Sequence, residues 1–401
     1  YSLFIRNKNH IIRGGIVMLI KNGTVFTKGT SFEKKEIEIE GIQIKSLHAP
    51  GEAASGSDIY DAEGCYVIPG LVDLHFHGCV GSDISDHDLE GIRKMAAYEL
   101  KSGITAICPA TMTLSEKILS DALSTAKQYV SETAEADRDG AVLTGINLEG
   151  PFVSPAKKGA QNPDYILNPD LAMFHRLLAK APGLPKLITL APELPGAMEF
   201  IKEASKDIVI SLGHSTADYE TATEAFQKGA SHVTHLFNAM PPFAHRDTGI
   251  VGAAYDDKKV HVEMICDGIH VSDPMIRAAF CLYTDERIIL ISDSMRAAGM
   301  PDGSYTLGGQ DVTVKGRLAT LKDGTIAGSV TNLMDCMRHV VKSAGIPLAS
   351  AVKAATINPA RELGIEKAHG QITEGALSNL LILDQDLNIK DIIFKGQVLS
   401  L

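Results

Sequence analysis

His75 and His77, two residues apart at the end of the run Leu71 Val72 Asp73 Leu74, open a series of metal-competent and proton-active side chains that each close a short apolar run. Glu149 closes Ile146 Asn147 Leu148, His214 follows Ser211 Leu212 Gly213, His235 follows Val233 Thr234, and Asp293 follows Leu290 Ile291 Ser292. On a strand, side chains at i and i+2 share a face, so His75 and His77 are expected to point the same way. A carboxylate such as Glu149 can give one oxygen to each of two cations about 3.5–4 Å apart. Imidazole and carboxylate without thiolate suit zinc, iron or a similar divalent ion, one or two per subunit. Asp293 fits both as a ligand and as the group that takes a proton from a water and returns it to a leaving nitrogen. His270, after Cys266 Asp267 Gly268 Ile269, fits as a donor to a carbonyl that gains negative charge.

Each of these residues also has a bland reading: paired structural histidines, a glutamate capping a helix, an aspartate satisfied by backbone amides. The chemistry requires them to meet. The C-terminal ends of parallel barrel strands converge on one rim, which brings distant residues together. Three further runs, Ile104 to Cys108, Leu187 to Leu190 and Val260 to Ile265, bring the strand count to eight, the number that closes an α/β barrel of the (β/α)8 TIM type. His232, three residues before His235, is expected to turn away from the ligands. His10, His48, His87, His175 and His261 read as surface or loop residues.

Helical spacing covers Leu89 to Lys101 and Thr113 to Ser131, the second opened by a Thr113, Glu116 capping box. After the eighth run, Tyr305 to Leu321 reads as a hairpin beside the rim, followed by helices over Asn332 to Ser343 and Leu348 to Ala355. Period-two patterning from Met18 to Val67, resumed at Asn379 to Asp384 and Ile392 to Val398, predicts short antiparallel strands. The expected organisation is therefore a β-sandwich domain built from residues 18–68 and 372–401, with the barrel inserted over 69–371. Residues 1–17 are read as an N-terminal extension, with Met18 a natural start.

A formal charge of −11 disfavours nucleic acid and anionic membrane as partners, so an anionic substrate needs local cations. The six cysteines form no CxxC pair and read as reduced thiols of a cytoplasmic protein. No apolar run approaches the roughly 20 residues of a membrane span.

The stretches PGLVDLHFHG (69–78), NLEGPF (147–152), KKGA (157–160), LAPE (190–193), SLGHS (211–215), THLFNAM (234–240), HRDTG (245–249), CDGIHV (266–271) and SDSM (292–295) resemble the N-acetylglucosamine-6-phosphate deacetylases of the amidohydrolase superfamily. The resemblance implies release of acetate from a phosphorylated amino sugar by a metal-activated hydroxide, a step of amino-sugar catabolism and cell-wall recycling. It implies that Glu149, His214 and His235 hold the principal metal and that Asp293 is the acid/base. Members that replace the first two histidines keep one metal; retention of His75 and His77 favours two. It further implies that His245 and Arg246 bind phosphate, with Arg246 reaching the neighbouring active site of a homodimer. Asn238 and Ala239 would touch the sugar or phosphate, Ala160 would line the pocket, and Ile326, Ala327 and Gly328 would pass the acetyl group.

Two other readings stand beside this one. Cyclic amidases and N-acyl amino acid hydrolases use the same scaffold but carry a carbamylated lysine after the fourth strand, where this chain has Leu190 Ala191 Pro192 Glu193. Non-enzymatic assembly proteins share the barrel but lack the ligands.

Overall fold

Strands that are apolar on both faces cannot lie at a surface, and the eight runs leave almost no polar face. They form a parallel ring: β1 (Leu71–Asp73), β2 (Ile104–Ile107), β3 (Ile146–Glu149), β4 (Pro185–Leu190), β5 (Val209–Leu212), β6 (His232–Val233), β7 (His261–Ile265) and β8 (Ile288–Ile291). Neighbours pair in parallel in that order, with β2 and β3 joined through Ala110 opposite Asn147 and Thr111 opposite Leu148. β8 returns to β1 through the Asp293 N–H, which donates to His75 O at 2.9 Å, and the Ser292 hydroxyl, which donates to Asp73 Oδ2 at 2.6 Å. This is the expected (β/α)8 barrel. The computed structural model describes residues 17–27, 29–53, 58–134, 137 and 139–399.

The barrel interior is graded. Val72, Leu74, Ala106, Leu187, Ile265, Ile289 and Ile291 form an apolar cluster with Ala360 and Leu363, which come from and follow the short helix Ile357–Glu362. The chemistry-bearing side chains sit at or just beyond the strand ends, above this floor.

α1 (Leu89–Lys101) matches its helical spacing, with Asp88 capping the Glu90 N–H. α2 (Glu116–Glu132) does not start as expected. Ser115 is its N-cap, accepting from the Ile118 N–H, while the Thr113 N–H is taken by Gln161 Oε1 at 2.7 Å. The demands of the pocket override the Thr113, Glu116 capping pattern.

Strands from both chain regions build two sheets. One orders Gln43–His48, Glu36–Glu40, Val17–Lys21 and Asp58–Asp61; the other orders Gln397–Leu399, Ile389–Phe394, Leu380–Leu383, Tyr66–Pro69, Thr24–Thr27 and Ser31–Lys34. Met18, Ile20, Ile37, Ile39, Val67, Leu380, Ile382 and Ile393 pack together between them. Two of the pairings are parallel, Val17–Lys21 with Asp58–Asp61 and Thr24–Thr27 with Tyr66–Pro69. The expectation of antiparallel pairing fails there, because period two reports a half-buried strand but not its direction. Of the expected N-terminal extension, only Val17 lies among the described residues, and it begins a strand.

The expected hairpin is a three-stranded antiparallel sheet, Gly303–Leu307, Gln310–Lys315 and Leu318–Thr320. It is tied to the rim by the Gln310 amide on Ala160 O and the Arg317 guanidinium on Asp267 O. No helix among the described residues is long and apolar enough to cross a membrane.

Glu99, on α1, keeps both carboxylate oxygens buried without a hydrogen-bond partner among the described residues. Burial and the nearby Asp73 charge push it up to about 8. An unfolded chain releases this proton near about pH 4.3. Between that value and pH 8 the folded state holds a proton that the unfolded state has lost, so stability from this group falls as pH rises and is spent above about 8. Glu99→Gln should raise the melting temperature at pH 9 by about 2 °C or more and give little at pH 5, which calorimetry at the two pH values checks.

Candidate metal centre

Glu149 is the last residue of β3 and is fully buried. Its Oε1 lies 3.0 Å from His235 Nε2, 3.1 Å from His214 Nε2 and 3.5 Å from His75 Nε2; its Oε2 lies 3.3 Å from His77 Nε2. Two overlapping groups result, His75 with His77 and Glu149, and Glu149 with His214 and His235, the ligand atoms of each lying within 4.8 Å of one another. Asp293 Oδ1 is 3.3 Å from His77 Nε2 and 3.8 Å from His75 Nε2.

The far nitrogens decide what faces the glutamate. His214 Nδ1 is 2.9 Å from Lys157 O, His77 Nδ1 is 3.0 Å from Ala110 O, and His75 Nδ1 is 2.8 Å from Glu263 Oε2. Carbonyls and carboxylates only accept, so each Nδ1 carries a hydrogen and each ring turns its Nε2 towards Glu149, as a lone pair when the ring is neutral and as a second N–H when it is protonated. His214 Nε2 and His235 Nε2 are themselves 3.1 Å apart. Lone pairs and carboxylate oxygens crowded at this range repel unless positive charge lies between them.

The electrostatics agree. Burial alone would depress His75, His77 and His235, yet the surrounding carboxylates overcome it and hold all three above the ordinary imidazole value, His75 up to about 10. Burial alone would raise Glu149 and Asp293, yet the imidazoles hold Glu149 well below the usual carboxylate range and lower Asp293. His75 Nε2 and Asp293 Oδ1 are buried with no hydrogen-bond partner among the described residues. The site demands cations on its inner side, and its donor set fits a divalent metal, or two sharing Glu149.

Local backbone aims these groups. The ladder of β1 ends at Asp73, so His75 and His77 stand beyond the strand rather than on it; the His77 N–H is held by Ser294 O at 2.7 Å. His214, His235 and Asp293, each following a strand end, have φ of +48°, +29° and +47°. Positive φ in a non-glycine residue costs about 1–3 kcal/mol, which the surrounding structure must offset. The missing side chain of Gly213 admits Thr234, whose Cβ would lie 2.7 Å from a Cβ at 213.

A cavity of about 390 Å³ opens above the cluster, lined by His77, Glu149, His214, His235 and Asp293, and by Lys157, Ala160, Asn238, Ala239, His270, Ile326 and Gly328. His270 Nδ1 is 2.9 Å from Asp267 Oδ2. Ala327 is fully buried and does not face the cavity. His245 and Arg246 are exposed and bonded to each other; Arg246 borders a separate cleft with Tyr219, Glu220, Asp247 and Thr248. One chain alone does not bring them to the cavity.

Four residues at the site escape the sequence reading. The Gln161 amide donates to Glu149 Oε2 at 2.5 Å, Glu263 supports His75, Asp267 supports His270, and Asp73 accepts from Ser292. Glu263 carried a signal, an acid inside the buried run His261 to Ile265. His232 belongs to neither ligand group; it is fully buried, with its Nδ1 3.0 Å from Ser211 Oγ. His261 opens β7 with its Nδ1 2.6 Å from Glu362, and His48 lies on a strand beside Glu38. His10 lies outside the described residues.

A parallel eight-stranded barrel whose rim gathers histidines around a shared glutamate defines a metal-dependent amide hydrolase. The Amidohydrolase family model matches residues 66–399, and the chain belongs to that family. The N-acetylglucosamine-6-phosphate deacetylase of Bacillus subtilis (strain 168) is 35% identical over 398 residues, 99% of this chain and 96% of that protein. The N-acetylgalactosamine-6-phosphate deacetylase of Escherichia coli O157:H7 is 33% identical over 85% of this chain and 89% of its own length. The solved structure of a variant N-acetyl-D-glucosamine-6-phosphate deacetylase from Mycobacterium smegmatis, in complex with N-acetyl-D-glucosamine-6-phosphate, superposes with a TM-score of 0.89 at 33% identity, covering 96% of this chain and 99% of that one.

Because Glu149 belongs to both ligand groups and His77 to one, their loss should differ. Glu149→Gln should abolish tight divalent-metal binding altogether, whereas His77→Asn should leave the group of Glu149, His214 and His235 able to hold one ion. Elemental analysis after equilibrium dialysis against zinc measures both.

Proposed function

We propose that this chain hydrolyses the acetamide of N-acetylglucosamine 6-phosphate to glucosamine 6-phosphate and acetate, with His75, His77, Glu149, His214, His235 and Asp293 holding one or two divalent ions, zinc, iron or similar. The observation that carries this reading is the convergence of the imidazole lone pairs on Glu149, beside Asp293, at the floor of a cavity sized for a small substrate. A divalent ion held by these residues would supply a bound water with its pKa lowered towards about 7 and a Lewis acid for the acetyl carbonyl. Asp293, held in its ionised form by His75 and His77, takes the proton of the attacking water and returns it to the sugar nitrogen as the C–N bond breaks. His270 serves as a hydrogen-bond donor to the carbonyl oxygen as charge builds on it, its ring oriented by Asp267 Oδ2 at Nδ1.

Asn238 and Ala239 contact the sugar or phosphate, Ala160 lines the pocket, and Ile326 and Gly328 border the acetyl group, with Ala327 supporting them from behind. Arg246, with His245, serves the phosphate in the cavity of a partner subunit in a homodimer. Its planar guanidinium can bind the dianion in two-pronged fashion, and its exposure in the single chain suits that role. All six cysteines are free, in keeping with work in the cytoplasm. The division into a β-domain of residues 18–68 and 372–401 and a barrel of 69–371 is likewise part of this reading.

Acetate release should be seen with N-acetylglucosamine 6-phosphate, and assay against the galactosamine epimer ranks the two sugars; release from neither would remove the proposal. Asp293→Asn should keep the fold while turnover drops at least about 10²-fold. Arg246→Ala should raise KM about tenfold or more with kcat little changed, measured by steady-state kinetics on the phosphorylated sugar.

A further inference from the structure

Glu263 lies in the middle of β7, is fully buried, and does not line the cavity. Its Oε2 accepts from two residues at once, the His75 ring Nδ1–H at 2.8 Å and the His235 backbone N–H at 3.0 Å. Its Oε1 has no hydrogen-bond partner among the described residues and stands 3.8 Å from His232 Nδ1. His75 belongs to one candidate ligand group and His235 to the other. His235 is also the rim residue whose φ of +29° places it in the left-handed region.

We propose that Glu263 is a positioning residue that ties the two ligand groups into one unit. Resting on the metal-centre reading above, it does so in two ways. It fixes His75 as the Nδ1–H tautomer, so the Nε2 lone pair faces the cation, and its negative charge makes that ring a stronger ligand. It also pins the backbone turn that aims His235. A carboxylate behind a ligand histidine is a known device for tuning one metal; here a single oxygen acts on both groups. The other supports are local by contrast: His77 leans on Ala110 O and His214 on Lys157 O, each a carbonyl serving one ring.

This arrangement predicts that a change at Glu263 weakens both ions together, although Glu263 is in neither ligand group. Glu263→Gln keeps an acceptor oxygen and the volume but removes the charge. Chelator competition should show divalent-ion dissociation constants about 10–100-fold higher at both sites. Steady-state kinetics should show kcat reduced at subsaturating metal, recovery with added metal, and KM for the sugar unchanged. Wild-type protein with two tight ions and a Glu263→Gln variant that binds both as tightly would overturn the proposal while leaving the metal centre intact. Wild-type protein that binds no divalent ion would instead overturn the metal-centre reading, and this proposal with it. Should Glu263→Gln fail to fold, nitrogen-15 NMR of histidine-labelled wild-type protein decides: His75 as the Nδ1–H tautomer supports the proposal, and the Nε2–H tautomer ends it.

Discussion

The structure depends on one unfavourable contact. The Nε2 atoms of three imidazoles, His75, His77 and His214, are turned, by hydrogen bonds at their far nitrogens, onto the oxygens of a single buried carboxylate, Glu149. In water such groups would separate or take up protons. Here the barrel holds them, and the low-dielectric floor of Val72, Leu74, Leu187, Ile265, Ile289 and Ile291 strengthens the repulsion it must contain. The demand for positive charge that results is the physical basis of the proposed metal centre.

Holding these groups is costly, and the cost is confined to the rim. His214, His235 and Asp293 adopt left-handed backbone just past their strands, with Phe237 and Ala239 doing the same in the following loop. The strands beneath are buried and predominantly apolar, so their burial offsets local strain that a loop alone would relax. Support for the ligands comes from three sides: Gln161 on Glu149, Glu263 on His75 and His235, and Asp267 on the proposed oxyanion donor His270. The three-stranded sheet after β8 grips the Ala160 and Asp267 backbones and so joins the cavity wall to the same frame.

Elements announced by repeated local chemistry were legible in the sequence. Apolar runs of four to six residues marked the strands, and 3.6-residue spacing marked α1 to within its first and last residue. Places where a tertiary partner outbid a local rule were not. Thr113 and Glu116 satisfy a capping pattern, yet Gln161 claims the Thr113 N–H and Ser115 takes over the cap. Alternation marked the strands of the two sheets but could not tell that Val17–Lys21 runs parallel to Asp58–Asp61. Glu263 and Gln161 give no such signal because neither ends a strand, although both hold residues at or just past a strand end.

By itself, the sequence determined the kinds of atom available and their order: strands too apolar for any surface, and at their ends imidazoles and acids with no thiolate. That was enough for the barrel and for the chemical class of the site, since both follow from residue type and spacing. Only the tertiary structure decided which nitrogen of each histidine faces Glu149, which acids stand behind them, and that Arg246 lies outside the cavity of its own chain. Hydrogen-bond partners far apart in sequence set those features, and spacing along a chain carries no record of distance across a barrel.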